Sequence, residues 1–283
     1  MPTSAPSPTI DLRHAIAIGT PKAIDLWLDV VDDPTRRADE LTELSKAEVR
    51  TLADLLSPEA AADLVDTLDL HVAVDAVRLI PPRAVANMVE VLESDRAAEL
   101  LRELTPTERE SILSLVSGEQ AALLRTLLDW PDESVAAHMV PEVLTVSDQV
   151  SAAEAIEQVR NHRAKLRQDS HIGAYVFAVD AANRLVGVVS FRELVLADAD
   201  RPVTELVEED VITVGPLVDQ EEAARTLTKH RLLAIPVVDE DNHLLGVLTA
   251  DDASDIAQEE ATEDAERQGG SEPLEVPYLR ASP

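Results

Sequence analysis

The chain has 283 residues and a formal net charge of −31 at pH 7, from 24 Lys and Arg against 55 Asp and Glu. Such a balance repels nucleic-acid phosphates and anionic membrane surfaces, and it attracts cations. Cysteine is absent, which excludes disulfides and thiolate metal sites. No apolar run approaches the roughly 18 residues of a membrane span. Composition therefore predicts a soluble chain of two domains with no nucleic-acid partner.

The first half of the sequence predicts a stack of short helices. Residues 1–9 are rich in Pro, Ser and Thr and are predicted to be disordered. From residue 10 to residue 131 apolar residues recur at helical spacing, and prolines recur every 24 residues, at Pro34, Pro58, Pro82 and Pro106. A proline suits the first turn of a helix, and a fixed period of this length is typical of a helical repeat. We predict an all-α superhelical domain without a catalytic constellation.

The second half changes to strands that alternate with helices. The similar runs at 143–146 (VLTV) and 211–214 (VITV) each precede an acidic helix. Segment 175–190 aligns with segment 234–249. The pattern therefore predicts that one β-α-β-β-α unit occurs twice.

The two copies are placed at about residues 138–200 and 203–266. The first copy is nine residues longer, and the extra residues fall near 161–173. Asp180–Asn183 and Asp239–Asn242 supply the predicted hairpin turns.

Acidic residues are concentrated in the second copy. Residues 205–266 hold eighteen Asp and Glu against three Lys and Arg, and segment 249–264 carries no basic residue. In a helix this segment places like charges four residues apart, which is destabilising. A hard divalent cation held by carboxylates would offset that repulsion. The alternative is a solvated acidic helix.

No motif in the sequence indicates an enzyme. The histidines lack metal-ligand spacing, Ser190 does not lie in a G-x-S-x-G elbow, and there is no phosphate-binding P-loop. We therefore predict a binding or regulatory protein.

The ends of the two units resemble the CBS module, which works as a tandem pair. Residues 187–193 (GVVSFRE) and 246–252 (GVLTADD) both follow its G-h-h-[ST]-x-x-[DN] pattern, except that Glu193 replaces Asp. In that family the segment meets the ribose and phosphates of adenine nucleotides. The resemblance implies a nucleotide site at Ser190, Arg192 and Glu193, with ATP as its ligand.

From about residue 10 onward the chain resembles the cytosolic part of MgtE-family magnesium channels. The resemblance is carried by the acidic runs at 251–264 (DDASDIAQEEATED) and 219–223 (DQEEA), and by 276–279 (VPYL). In that family a helical N domain, a CBS pair and a connecting helix precede a transmembrane pore.

This resemblance implies an α+β multidomain fold: a helical N domain at 10–131, a tandem CBS pair at 132–266, and a connecting helix in segment 267–283. That segment would lead to a pore domain of the same protein, which places the chain on the cytoplasmic side of the cell membrane.

The resemblance also implies Mg²⁺ ligands in both domains, with Mn²⁺ or Ca²⁺ as substitutes. One departure is Arg231, which stands where the family has an acidic ligand. The implied ligands are Asp63, Asp95 and Glu99 in the N domain, and Glu221, Asp252, Asp255, Glu260, Glu263 and Asp264 in the CBS pair.

The expected function is Mg²⁺ sensing, in which ions bound between the N domain and the CBS pairs of a homodimer favour a closed pore. Without metal, the acidic linker Trp130–Val135 is expected to be mobile. One alternative is an adenine-nucleotide-sensing CBS module with a helical protein-interaction domain. Another is a purely structural interaction protein.

Overall fold

The computed structural model describes residues 10–161 and 175–258. The chain divides into two compact units between Arg125 and Thr126. Short helices build the N-terminal unit, whereas the C-terminal unit combines helices with two small sheets. Among the described residues, none of the helices has the length and hydropathy needed to cross a membrane.

The N-terminal unit is a succession of short helices, the last of which crosses into the next unit. They are α1 (Leu12–Ile18), α2 (Pro21–Val30), α3 (Pro34–Thr42), α4 (Lys46–Leu55), α5 (Pro58–Asp66), α6 (Leu70–Val77), α7 (Pro82–Val89), α8 (Ser94–Arg102), α9 (Pro106–Leu113) and α10 (Gly118–Leu128).

Each of the recurring prolines begins a helix, as predicted, and one proline period contains a pair of helices. The four prolines begin α3, α5, α7 and α9. The capping residues before them fix these starts: Ser57 accepts a hydrogen bond from the Ala60 N–H at 3.1 Å, and Thr105 forms a capping box with Glu108. Helix α7 packs against both α5 and α9, and α6 packs against α8. Alternate helices therefore stack in two layers, which is the arrangement of a helical repeat.

Arginine side chains close the C-terminal ends of several of these helices. Arg37 donates to the carbonyls of Val31 at 2.5 Å and Leu28 at 2.8 Å, at the end of α2. These carbonyls have no partner within their helix, and they lie at the negative end of its dipole. Other arginines make the same kind of contact: Arg13 with Glu43, Arg50 with Leu79, Arg78 with Glu103, Arg96 with Leu68, and Arg109 with Leu101 and Arg102.

The C-terminal unit contains the predicted duplication. Its elements are α11 (Val135–His138), β1 (Thr145–Ser147), α12 (Ala152–Asn161), β2 (Tyr175–Val179), β3 (Leu185–Ser190), α13 (Phe191–Leu196), the 3-10 helix Val203–Glu205, α14 (Gln220–His230), β4 (Ala234–Val238), β5 (Leu244–Thr249) and a helix at 250–258. Strand β1 runs parallel to β2, and the hairpins β2–β3 and β4–β5 are antiparallel.

The strand predicted at 211–214 does not form, because Pro236 and Pro216 lack the N–H groups that Phe177 and Asp148 donate in the first copy. In the first copy the Phe177 N–H donates to the Leu144 carbonyl at 2.8 Å and extends the β1–β2 ladder. The aligned position in the second copy is Pro236, which cannot donate. Only an isolated bridge between Val214 and Val237 remains.

Both predicted hairpin turns are present, and they pair with each other. Asn183 and Asn242 adopt left-handed φ values of 62° and 65°. The Leu185 N–H donates to the Asn242 carbonyl at 2.9 Å, and the Leu244 N–H donates to the Asn183 carbonyl at 3.1 Å. This reciprocal pair joins the two copies about a pseudo-twofold axis.

The expected mobile linker is shorter than the sequence indicated. Pro131, Asp132 and Glu133 are exposed, but Ser134 and Val135 are only 4% and 0% exposed. The Val135 N–H donates to the Val218 carbonyl at 2.9 Å. Ser134 and Val135 therefore do not belong to an exposed linker, and the mobility stays a prediction for the exposed residues 131–133. The predicted connecting helix in segment 267–283 lies outside the described residues, as does the insertion predicted near 161–173 except for residue 161.

Candidate functional site

The last element of the second copy is the helix at 250–258, and its first turn contains Asp252, one of the predicted metal ligands. The hydroxyl of Thr249 accepts from the Asp252 N–H at 3.4 Å. In return, the Asp252 carboxylate accepts from the Thr249 N–H at 3.3 Å and from the Thr249 hydroxyl. This reciprocal arrangement satisfies N–H groups at the start of the helix at 250–258. Both donors use the same carboxylate oxygen of Asp252.

The first copy builds the same feature with a longer acid. The hydroxyl of Ser190 accepts from the Glu193 N–H at 3.1 Å and donates to the Glu193 carboxylate at 3.0 Å. Glu193 therefore fills the capping role that Asp252 has in the second copy. Arg192, the third residue of the predicted nucleotide site, is exposed beside them.

The predicted N-domain ligands differ in their surroundings. Asp95 lies in the first turn of α8 and is only 8% exposed, whereas Asp63 is exposed on α5. Glu99 forms an ion pair with Arg96, and their side chains are 21% and 16% exposed. Arg96 also donates to the Leu68 carbonyl at 2.6 Å, which fixes its guanidinium. A cation at Glu99 would therefore have to compete with a guanidinium already in place.

Glu221, like Glu99, forms an ion pair with an arginine of its own helix. It lies in the first turn of α14 and pairs with Arg225, four residues later on the same helix. Asp219 caps this helix by accepting from the N–H groups of Glu221 at 3.0 Å and Glu222 at 3.2 Å. The prediction did not name Asp219 as a site residue, although its position just before an acidic helix start signals a cap. Asp255 is exposed on the helix at 250–258.

Residue Arg231 ends α14 in a left-handed conformation, with φ 54° and ψ 41°. Glycine and asparagine are the usual residues there, because a Cβ atom is strained at positive φ. Its N–H donates to the Thr228 carbonyl at 3.2 Å. Arg231 is thus a helix terminator as well as the departure from the family's acidic pattern.

The described residues contain no group of three or more His, Asp or Glu that could hold a metal ion. Glu260, Glu263 and Asp264 lie outside those residues. The remaining predicted ligands are distributed between the units, with Asp63, Asp95 and Glu99 in the N-terminal unit and Glu221, Asp252 and Asp255 in the C-terminal unit.

Comparison with known proteins finds the same two parts in the same order. The family model described as the MgtE intracellular N domain matches residues 32–133. The CBS domain model matches residues 134–200 and 203–258. A magnesium transporter MgtE of Enterococcus faecalis is 35% identical over 156 residues, which cover 55% of this chain and 34% of that protein. The chain thus spans about a third of the length of this relative.

Two solved structures resemble almost the whole chain. The soluble part of a magnesium transporter has a TM-score of 0.74 at 29% identity and covers 89% of this chain and 100% of that one. The cytosolic domain of the Mg²⁺ channel MgtE in complex with ATP has a TM-score of 0.77 at 26% identity and covers 87% of this chain and 98% of that one.

Proposed function

Because the chain belongs to the MgtE family by its N domain and CBS pair, we propose that it is the Mg²⁺-sensing regulatory region of a magnesium transporter. Mg²⁺ bound by carboxylates of both units favours the closed pore when the ion is abundant. The observation that carries this proposal is the order of the two domains, matched over 87% of the chain by the cytosolic domain of an Mg²⁺ channel. The pore is proposed to be a further domain of the same protein.

The charge distribution supports a response to cations. Residues 205–266 contain eighteen acidic residues and three basic ones. Mutual repulsion of such a surface raises the free energy of compact states, and bound cations lower it. At ten times its dissociation constant, one site bound only in the closed state contributes about 1.4 kcal/mol. Four such sites give about 5.6 kcal/mol, close to the ~5.5 kcal/mol that converts a 1:99 equilibrium into 99:1.

The ion pairs of Glu99 and Glu221 with arginines lower the affinity of these carboxylates for Mg²⁺. Mg²⁺ at Glu99 or Glu221 has to displace Arg96 or Arg225 from its carboxylate. An ion pair near the surface contributes about 0–1 kcal/mol, so this competition weakens each site by up to about fivefold. Weak binding is useful in a sensor, because it places the response above trace levels of the ion.

Isothermal titration calorimetry of the full chain with MgCl₂ tests the proposal, with radius of gyration measured by small-angle X-ray scattering. Asp255→Asn removes an exposed carboxylate from the helix at 250–258 and leaves the hydrogen bonds between Thr249 and Asp252 in place. Glu240→Gln is the matched control, since it removes one charge from an exposed hairpin turn. We expect Asp255→Asn to lower the heat of binding and the Mg²⁺-dependent compaction, while Glu240→Gln leaves both unchanged.

A second control separates coordination from screening. NaCl at matched ionic strength screens charges but does not coordinate carboxylates as Mg²⁺ does. If NaCl compacts the chain as well as MgCl₂ does, or if both variants behave like the parent, the acidic surface is a solvated face. The Mg²⁺-sensing function would then be wrong.

A second candidate function is ATP binding by the CBS pair. It is favoured by the likeness to a domain that was solved in complex with ATP, and by the exposed Arg192 next to the Ser190–Glu193 cap. A guanidinium at this position suits phosphate oxygens. Calorimetry with ATP, without divalent ions, should show that the parent binds ATP and that Arg192→Met lowers the affinity for ATP at least tenfold. No heat with the parent would exclude this candidate.

Dimerisation is the remaining part of the proposed function. Helix α13 exposes Phe191, Val195 and Leu196 by 38%, 53% and 76%. Adjacent exposed apolar side chains mark interaction sites on soluble proteins. We assign this face to the contact between two copies of the chain.

A further inference from the structure

The two CBS copies exchange their leading segments. Residues 134–140, at the start of the first copy, pack on the second copy, and residues 202–208, at the start of the second copy, pack on the first. We name these the first and second exchanged segments. Corresponding residues in them are 68 apart, which is also the spacing of the duplicated runs at 143–146 and 211–214.

The first exchanged segment lies at the edge of the second copy's sheet. The Val140 N–H donates to the Val247 carbonyl of β5 at 2.8 Å, and the Val247 N–H donates back at 2.9 Å. The Ala136 N–H donates to the Pro216 carbonyl at 3.1 Å, and Ser134 is bridged to Asp219 at the start of α14. Residues 134–137 are buried, as are 139 and 140.

The contact with β5 is close enough to exclude a side chain. A Cβ atom built on Gly246 would lie 2.7 Å from the Val140 carbonyl oxygen and 2.9 Å from the Met139 sulfur. Only glycine allows the two backbones to approach this far. The first exchanged segment is thus an integral edge of the second copy.

The second exchanged segment repeats these contacts on the first copy. The Glu208 N–H donates to the Val188 carbonyl of β3 at 2.9 Å, and the Val188 N–H donates back at 3.0 Å. Pro202 is bridged to Ser151, just as Ser134 is bridged to Asp219. The two contacts are therefore matched, but only the first exchanged segment follows the N-terminal unit directly in the chain, through residues 126–133, of which 131–133 are exposed.

We propose that the first exchanged segment is a coupling element that links the N-terminal unit to the second CBS copy, bypassing the first copy. A displacement of the N-terminal unit, which ends at Arg125, acts through residues 126–133 on the edge of β5. Strand β5 ends at Thr249, where the capped helix at 250–258 begins, so a change at this edge alters the stability of that helix. Segments that share hydrogen bonds and burial open cooperatively, which is the physical basis of this link.

Hydrogen exchange of the full chain, measured by mass spectrometry without divalent ions, tests this coupling. Val140→Pro removes the N–H that donates to Val247. The substituted residue lies in the first exchanged segment, so β5 itself is unchanged. Met139 already has extended backbone dihedrals, φ −78° and ψ 148°, so a following proline does not clash with it. We expect amide exchange to rise at least tenfold in residues 134–140 and also in 250–258.

Glu208→Pro is the matched control, because it removes the corresponding N–H from the second exchanged segment. We expect it to speed exchange in residues 202–208 and in α13, and to leave 250–258 within twofold of the parent. Gly246→Ala, which displaces the segment sterically, should reproduce the effect of Val140→Pro.

Two results would overturn the proposal. If Val140→Pro and Gly246→Ala speed exchange in 134–140 but leave 250–258 unchanged, the segment is only an anchor. If neither speeds exchange in 134–140, the hydrogen bonds to β5 do not hold the segment. Since no metal is present, these outcomes are independent of the proposed Mg²⁺ response.

Discussion

Arg37 offers a sharp test of how the N-terminal unit is held together. Its guanidinium donates to Val31 O at 2.5 Å, Leu28 O at 2.8 Å and Thr67 Oγ1 at 3.2 Å, and so ties the end of α2 to the end of α5. Arg37→Met keeps much of the apolar stem and removes all three donors. Hydrogen bonds to charged groups contribute about 1.5–3 kcal/mol each. Because they share one partly exposed side chain, we expect a total loss of about 3 kcal/mol in the free energy of unfolding.

Tryptophan fluorescence can report on this unit alone. The chain has two tryptophans, of which Trp27 is fully buried in the N-terminal unit and Trp130 lies in the other. In a Trp130→Phe background, Trp27 is therefore the only tryptophan. With a urea m-value of about 2 kcal/mol per molar, Arg37→Met should lower the midpoint by about 1.5 M.

Arg83→Met is the matched control, since it removes the same charge from an exposed position on α7. It should change the free energy of unfolding by less than about 0.5 kcal/mol. Arg37→Lys keeps the charge but loses the planar fork, so its midpoint should fall between those of the parent and Arg37→Met. Equal midpoints for Arg37→Met and Arg83→Met would refute the role given to the carbonyl contacts.

The other predictions concern the C-terminal unit. The pKa of Asp239 lies below its usual value, chiefly because the backbone N–H of His243 donates to the carboxylate. The ionised carboxylate therefore stabilises the folded state fully above the pKa of unfolded Asp, and this stabilisation is lost as the pH falls below about 4. Asp239→Asn should therefore flatten acid unfolding followed by circular dichroism, and an unchanged curve would count against it. Arg231→Gly relieves a left-handed residue and should raise the free energy of unfolding by about 0.5–1 kcal/mol in thermal melts; a lower melting temperature would contradict this. Val195→Asp should convert a dimer into a monomer in light scattering, whereas equal masses would show that α13 is not the contact.

Local signals predicted much of the fold. Prolines at the first helical position, with Ser57 and Thr105 before them, set helix starts through contacts within four residues. The turn signals at Asp180 and Asp239 are equally local, since each carboxylate accepts N–H groups from its own turn. Such contacts can be read from the sequence because no other part of the chain is needed to form them.

The failures depend on distant parts of the chain. The strand at 211–214 was predicted from its own residues, but it needed an N–H from position 236, where a proline stands. Ser134 and Val135 read as linker because their partners, Asp219 and Val218, follow more than 80 residues later. Nothing in the sequence around residue 134 indicates that the two copies exchange segments.

Some partners of the proposed ligands can be read from the sequence, and others cannot. The Glu221–Arg225 pair is visible in the sequence, since residues four apart on a helix are neighbours. The capping role of Asp252 follows from its place three residues after Thr249. The contact of Arg96 with Leu68 is different, because it joins residues on separate helices and fixes the partner of Glu99 from outside the local pattern.

The arginine contacts also bear on why the chain attracts cations. Basic residues number 24 against 55 acidic ones, so each guanidinium has a large effect on how much acidic surface is neutralised. Arg37 and Arg109 direct their donors to backbone carbonyls at helix ends. These two guanidinium groups stabilise the helical stack, whereas Arg13, Arg78 and Arg96 contact carbonyls and also pair with carboxylates. Arg37 and Arg109 therefore leave more of the acidic charge to be compensated by dissolved ions, and a divalent ion compensates more charge per site than a monovalent one.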